Sequence, residues 1–176
     1  LGTERAYAQS GMQVHAGVSA AFSQDKNITP SGMGHYGHFV GVDARLHSGG
    51  MYFAGGMKYY RTSLLAESSR SFFSNSENYN FFAARFGLGF TLMQISHNIS
   101  LRSKLFGVFN FSNSSPVNTI DVPGYEQLND SSGGVVTGLG MDIGFFTVDL
   151  EYERGIINAY KGRPDSKNDI ISFSVR

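Results

Sequence analysis

The side chains able to do covalent or metal chemistry are few in this sequence. Of His15, His35, His38, His47 and His97, only His35-x-x-His38 has a spacing that resembles a ligand pair. It falls where a polar loop passes into an alternating stretch. On a strand, residues three apart face opposite sides, so no metal site is assigned. A hydrolytic set of Ser, His and acid at the rim of a barrel would draw on His38, Ser63, Ser112 and Asp165. Composition alone supports that set, because Ser and Asp are ordinary loop residues. No G-x-S-x-G, Walker or dinucleotide motif occurs, so no catalytic residue and no cofactor is assigned and a non-enzyme is expected. The sequence has no Cys, which excludes thiol catalysis, disulfides and Cys-ligated zinc. What remains is electrostatic chemistry: Asp43, Arg45, Lys58, Arg85, Arg102, Lys104, Asp142, Asp149, Glu151 and Glu153 all stand in stretches where charged and apolar residues alternate.

The stretch from Ser132 to Asn158 shows how such residues are positioned. Thr137, Leu139, Met141 and Ile143 share one face, while Val136, Gly138, Gly140 and Asp142 share the other. After Gly144-Phe145 the alternation resumes, with Phe146, Val148, Leu150 and Tyr152 opposing Thr147, Asp149, Glu151 and Glu153. A period of two is that of a β-strand, and the two residues between the runs predict a tight hairpin. The same pattern predicts strands over about 12–23, 36–47, 51–64, 79–93, 99–111 and 168–176. Abundant Gly (22), Phe (15) and Tyr (9) with only 4 Pro among 176 residues fits an all-β chain with many turns.

Connections alternate strictly between long and short. Residues 24–35, 65–78, 112–131 and 158–167 are long and polar; Ser48-Gly49-Gly50, Gln94 to Asn98 and Gly144-Phe145 are short. Eight antiparallel strands in up-and-down order, with long loops gathered at one end, form the pattern of a transmembrane β-barrel. About 10 residues of tilted strand cross a bilayer. Alternation alone leaves open a soluble lipocalin-like barrel with the apolar face inside. Three features favour the charged face as the interior. The glycines at 17, 41, 56, 87, 89, 138, 140 and 144 would leave room there for Arg and Lys. Eight Phe residues, among them Phe82, Phe86 and Phe90, would overfill a small lumen. A soluble barrel has no reason to sort its loops by end.

In this reading the ten charged residues form an interior network, with Asp149, Glu151 and Glu153 paired to Arg102, Lys104 and Arg85, because unpaired buried charge is costly. The alternative use of those carboxylates is to line a narrow cation path. Tyr36, Tyr59, Tyr79, Tyr152 and Tyr160 stand near strand ends, where an aromatic girdle belongs. Lys+Arg and Asp+Glu are 14 each, which argues against a nucleic-acid binder. Ala6-Tyr7-Ala8 has the A-x-A form of an export cleavage site, so residues 1–10 are read as a tail or the residual end of a signal segment, and 11–176 as the barrel.

The segment Tyr152-Glu153-Arg154-Gly155-Ile156-Ile157-Asn158, after a glycine-rich strand and a tight turn, resembles the closing part of the small outer-membrane barrels of Bacteroidetes, the PorT-like or "porin family" barrels. Gly11 and Gly17 around the first strand are also similar. The resemblance implies an eight-stranded barrel in the outer membrane of a Gram-negative bacterium. Such barrels close on an aromatic residue, whereas here the last residues are Phe173-Ser174-Val175-Arg176. The expected function is a monomeric structural or interaction protein, surrounded by outer-membrane lipid and presenting its four long loops to a protein partner.

Overall fold

The computed structural model describes residues 10–23, 35–63, 78–112, 129–158 and 167–176. Eight strands follow one another: β1 (Gly11–Ser23), β2 (His35–Ser48), β3 (Met51–Ser63), β4 (Asn78–Ser96), β5 (Ile99–Ser112), β6 (Ser131–Ile143), β7 (Phe146–Gly155) and β8 (Asn168–Val175). Each pairs antiparallel with its sequence neighbour, and β1 pairs with β8, so the sheet closes into a barrel without an interrupted order. Closure satisfies the ladder hydrogen bonds that an open sheet would leave at two edges.

The short connections lie together at one end. Gly49-Gly50, His97-Asn98 and Gly144-Phe145 are turns. Gly49 and Gly144 have φ of 65° and 61°, the left-handed region that L side chains enter at a cost. Gly144 therefore belongs to the turn and not to the inward-facing glycines, where alternation had put it. The expected loop boundaries shift slightly: His35, Asn78, Ser112 and Ser131 are strand residues. The larger difference is β4, which runs to Ser96 instead of stopping at Met93. Its register against β5 shifts between Thr91 and Met93 and again between Gln94 and Ser96. These bulges break the period of two while the pairing continues, which hid the strand's last residues.

Residues of one parity point outward. Met12, Val14, Val40, Leu46, Phe53, Met57, Phe86, Leu105, Leu139 and Leu150 are all exposed there, forming a continuous apolar belt. Residues of the other parity are buried in the lumen. Toward the end that receives the long connections, the lumen is closed by Phe39, Tyr60 and Phe81, with centroid spacings of 5.0 and 4.7 Å. Ala21, Val108, Val136 and Ile170 are buried inward-facing residues of the same end. Toward the middle and the short-turn end the lumen is charged. Among the described residues no helix is long and apolar enough to cross a membrane, a statement that does not bear on strands.

Candidate functional site

The charged interior gathers side chains from six strands. Glu151 on β7 is its hub. It accepts from Lys58 Nζ at 2.5 Å, from Lys104 Nζ at 2.6 Å and from Arg85 Nη1 at 2.8 and 3.0 Å. Those three cations stand on β3, β5 and β4, so one carboxylate ties together more than a third of the wall. Arg85 reaches Asp43 on β2 with its other edge: Nε donates at 3.0 Å and Nη2 donates to the second oxygen. A fork that binds two carboxylates uses the planar donor set peculiar to arginine.

A second cluster lies nearer the short-turn end. Arg102 Nε donates to Asp142 at 2.6 Å, and its Nη1 donates to the Tyr52 hydroxyl at 3.0 Å. Asp142 also accepts from Ser100 at 3.0 Å and Thr147 at 2.7 Å. Asp149 joins the two clusters. Lys104 and Arg176 approach its oxygens at 2.9 and 2.8 Å without hydrogen-bond alignment, so these contacts act as ion pairs. Arg45 is buried and stands 4.0 Å from both Asp142 and Asp149, with its guanidinium 5.3 Å from the centre of the Tyr52 ring.

All ten sequence-assigned charges thus face inward, and Asp149 and Glu151 meet Arg102, Lys104 and Arg85 as expected, whereas Glu153 does not. Glu153 does not meet Arg102, Lys104 or Arg85 in an ion pair; it accepts from Asn110 Nδ2 at 2.8 Å. It stands higher in the lumen, beside Val108 and Val136, where the walls are apolar. Alternation fixes which face a residue occupies, but the height of each pairing depends on register and strand tilt. Arg176 was missed. It pairs with Asp43 at 2.6 Å and with Asp149. Ser172 and Ser174 share its parity and are buried, so the same alternation pointed to it.

The inward glycines act as sockets. A Cβ built on Gly89 would meet the Tyr52 ring, on Gly56 the Asp43 carboxylate, and on Gly140 the Asp149 carboxylate and the Arg102 guanidinium. Each socket sits across the sheet from the group that fills it: Gly89 pairs with Tyr52, Gly56 with Asp43 and Gly140 with Asp149. Among the described residues, one internal space lined by Lys58, Tyr60, Arg85, Glu151, Glu153 and Ser172 has room for about one water molecule.

The other expected groups lie only in part among the described residues. His38 is exposed on the outer face of β2, opposite Arg61 of β3. The side chains of His35, Ser63 and Ser112, and the whole of Asp165, lie outside the described residues, so a rim set is not on view. Among the described residues no three His, Asp or Glu side chains are grouped as metal ligands. Of the tyrosines, Tyr36, Tyr59 and Tyr152 are exposed on the outer face in the half nearer the long connections, and Tyr152 donates to Asp169 at 2.9 Å. The Tyr79 side chain and Tyr160 lie outside the described residues, as do most of the four long loops.

The closed barrel has a solved counterpart. Neisserial surface protein A (NspA) superposes with a TM-score of 0.56 at 15% identity, over 94% of this chain and 96% of that one. The chain shares the fold of that eight-stranded outer-membrane barrel. Ail, the attachment invasion locus protein of Yersinia pestis, was solved with the heparin analogue sucrose octasulfate; it aligns over 95% of this chain and 96% of its own at 12% identity and a TM-score of 0.43. No family model matches the sequence, and no curated protein does. The narrower likeness to Bacteroidetes barrels therefore rests on the sequence of the β6–β7 hairpin and of the first strand.

Proposed function

We propose that this chain is a monomeric outer-membrane β-barrel of a Gram-negative bacterium, with a sealed lumen, and that it works as a structural or interaction protein. The observation that carries this reading is the pairing of two faces in one closed sheet. The outer face is an apolar belt, and the inner face carries a buried ion-pair network. In water the belt would be an exposed apolar surface far larger than soluble monomers carry. In a bilayer it is the required solvent-facing surface. The soluble lipocalin-like alternative needs an apolar cavity inside, and the lumen holds charge instead.

The filled lumen also argues against a pore. Lys58, Arg85, Lys104 and Glu151 meet across the axis, and the Phe39, Tyr60 and Phe81 rings stand above them. In a barrel filled in this way, function falls to the polar segments 24–35, 65–78, 112–131 and 158–167 as partner-binding loops held by a rigid barrel. Detergent-extracted protein run cold and boiled on a denaturing gel tests the barrel: a compact band that shifts only on boiling is expected. Recovery in the soluble fraction, unfolded by cold detergent, would reverse the assignment of the two faces. Planar-bilayer recordings should show no steady conductance, and a unitary conductance would restore the narrow-pore reading.

A further inference from the structure

The short-turn end is not level in chemistry. Thr91 N donates to Gly50 O at 2.8 Å, so β4 beyond Thr91 has run past the β2–β3 turn and keeps only β5 beside it. Leu92, Met93 and Ile95 are each more than half exposed. Residues of both parities are exposed from Thr91 to His97, because this part of the hairpin stands below the charged lumen. Gly144 N donates to Asn98 O at 2.8 Å, which fastens the β6–β7 turn to the β4–β5 turn. That turn adds Ile143, Phe146 and Phe145, the last 93% exposed. No Asp, Glu, Lys or Arg occurs between Arg85 and Arg102, nor between Asp142 and Asp149. The β2–β3 turn next to it is Ser48-Gly49-Gly50, with nothing apolar at its tip.

We infer that the joined tips of the β4–β5 and β6–β7 hairpins form an apolar foot that is seated in the bilayer leaflet on the short-turn side. The inference rests on the membrane-barrel reading and extends it. The occupant is lipid because the foot continues the exposed belt: Phe90 leads into Leu92 and Met141 into Ile143, with Leu101 and Ile99, less exposed, on the strand between them. A two-stranded ribbon that exposes Leu92, Met93 and Ile95 beside Gln94, Ser96, His97 and Asn98 has little stability in water by itself, and its bulges turn the free edge of β4 away from pairing with another strand. The belt is therefore deeper on the β4–β7 side than on the β2–β3 side, and the barrel leans to keep both in hydrocarbon.

The absence of Cys makes the test direct. Met93→Cys, Ile95→Cys and Phe145→Cys, with Phe109→Cys as a mid-belt reference and Gly50→Cys as a turn reference, are labelled with bimane and reconstituted in phosphatidylcholine vesicles. Quenching by doxyl-chain lipid is compared with quenching by aqueous iodide on both sides of the membrane. The three replaced side chains are exposed, and folding of each variant is read from its cold-to-boiled shift. Positions 93, 95 and 145 should follow 109, with strong lipid quenching and iodide quenching several-fold below that at 50. Iodide access at these positions, with 109 still lipid-quenched, would overturn the foot and leave the membrane barrel standing. Shielding from both quenchers would mark a protein contact and also overturn it. Iodide access at 109 would remove both readings.

Discussion

Glu151 and Glu153 stand two residues apart on the same strand and face, yet their surroundings are opposite. Glu151 meets Lys58, Arg85 and Lys104, while Glu153 has an amide, Asn110, as its hydrogen-bond donor. Glu151→Gln should destabilise the barrel by about 3–5 kcal/mol, because it leaves buried Lys58 without its carboxylate and takes one from Arg85 and Lys104. Glu153→Gln keeps an acceptor for Asn110 and should cost about 1 kcal/mol or less. Urea titrations of refolding into detergent micelles or vesicles measure both. The sequence made the facing of these residues legible, since period-two alternation decides face. It could not distinguish a hub from a bystander, because that depends on which rung of the tilted sheet each residue meets. Arg176 shows the converse: its face was readable from Ser172 and Ser174 and it fell within the strand expected over 168–176, yet it was not assigned to the charge network.

At the scale of elements, the hairpins were the most legible part, because Gly49-Gly50 and Gly144-Phe145 interrupt alternation cleanly. The β4–β5 hairpin was less so, since its bulges scramble the alternation that the reading depends on. The positive φ at Gly49 and Gly144 gives the turns a testable property. Gly49→Val and Gly144→Val should each cost about 1–2 kcal/mol, the penalty for forcing an L side chain into the left-handed region. Asn at the same positions should cost clearly less, as read from shifts in the urea midpoint with an unchanged m-value. No atom lies within 4 Å of the Cβ that would be added at either glycine, so the penalty is one of backbone conformation and not of crowding.

For the whole molecule, the decision between an inside-out and a conventional barrel was argued from packing volume and loop sorting, and the exposed apolar belt around buried charged residues agrees with it. The belt makes a depth-dependent prediction. Phe86→Arg, in the middle of the outer face, should cost about 2–4 kcal/mol in vesicles, whereas Tyr36→Arg, at the long-connection rim, should cost about 0–1 kcal/mol. Equal effects at the two sites would mean that no hydrocarbon slab surrounds the protein. The hub described around Glu151 also sets a schedule for assembly. Its partners come from β3, β4 and β5, with Ser172 of β8 at 3.4 Å, so no early fragment of the chain holds a complete set. Strands β2 to β7, delivered singly into a bilayer, would each carry a bare charge across it. The wall must therefore remain wet inside until its first and last strands meet, and the moment of closure is also the moment of drying.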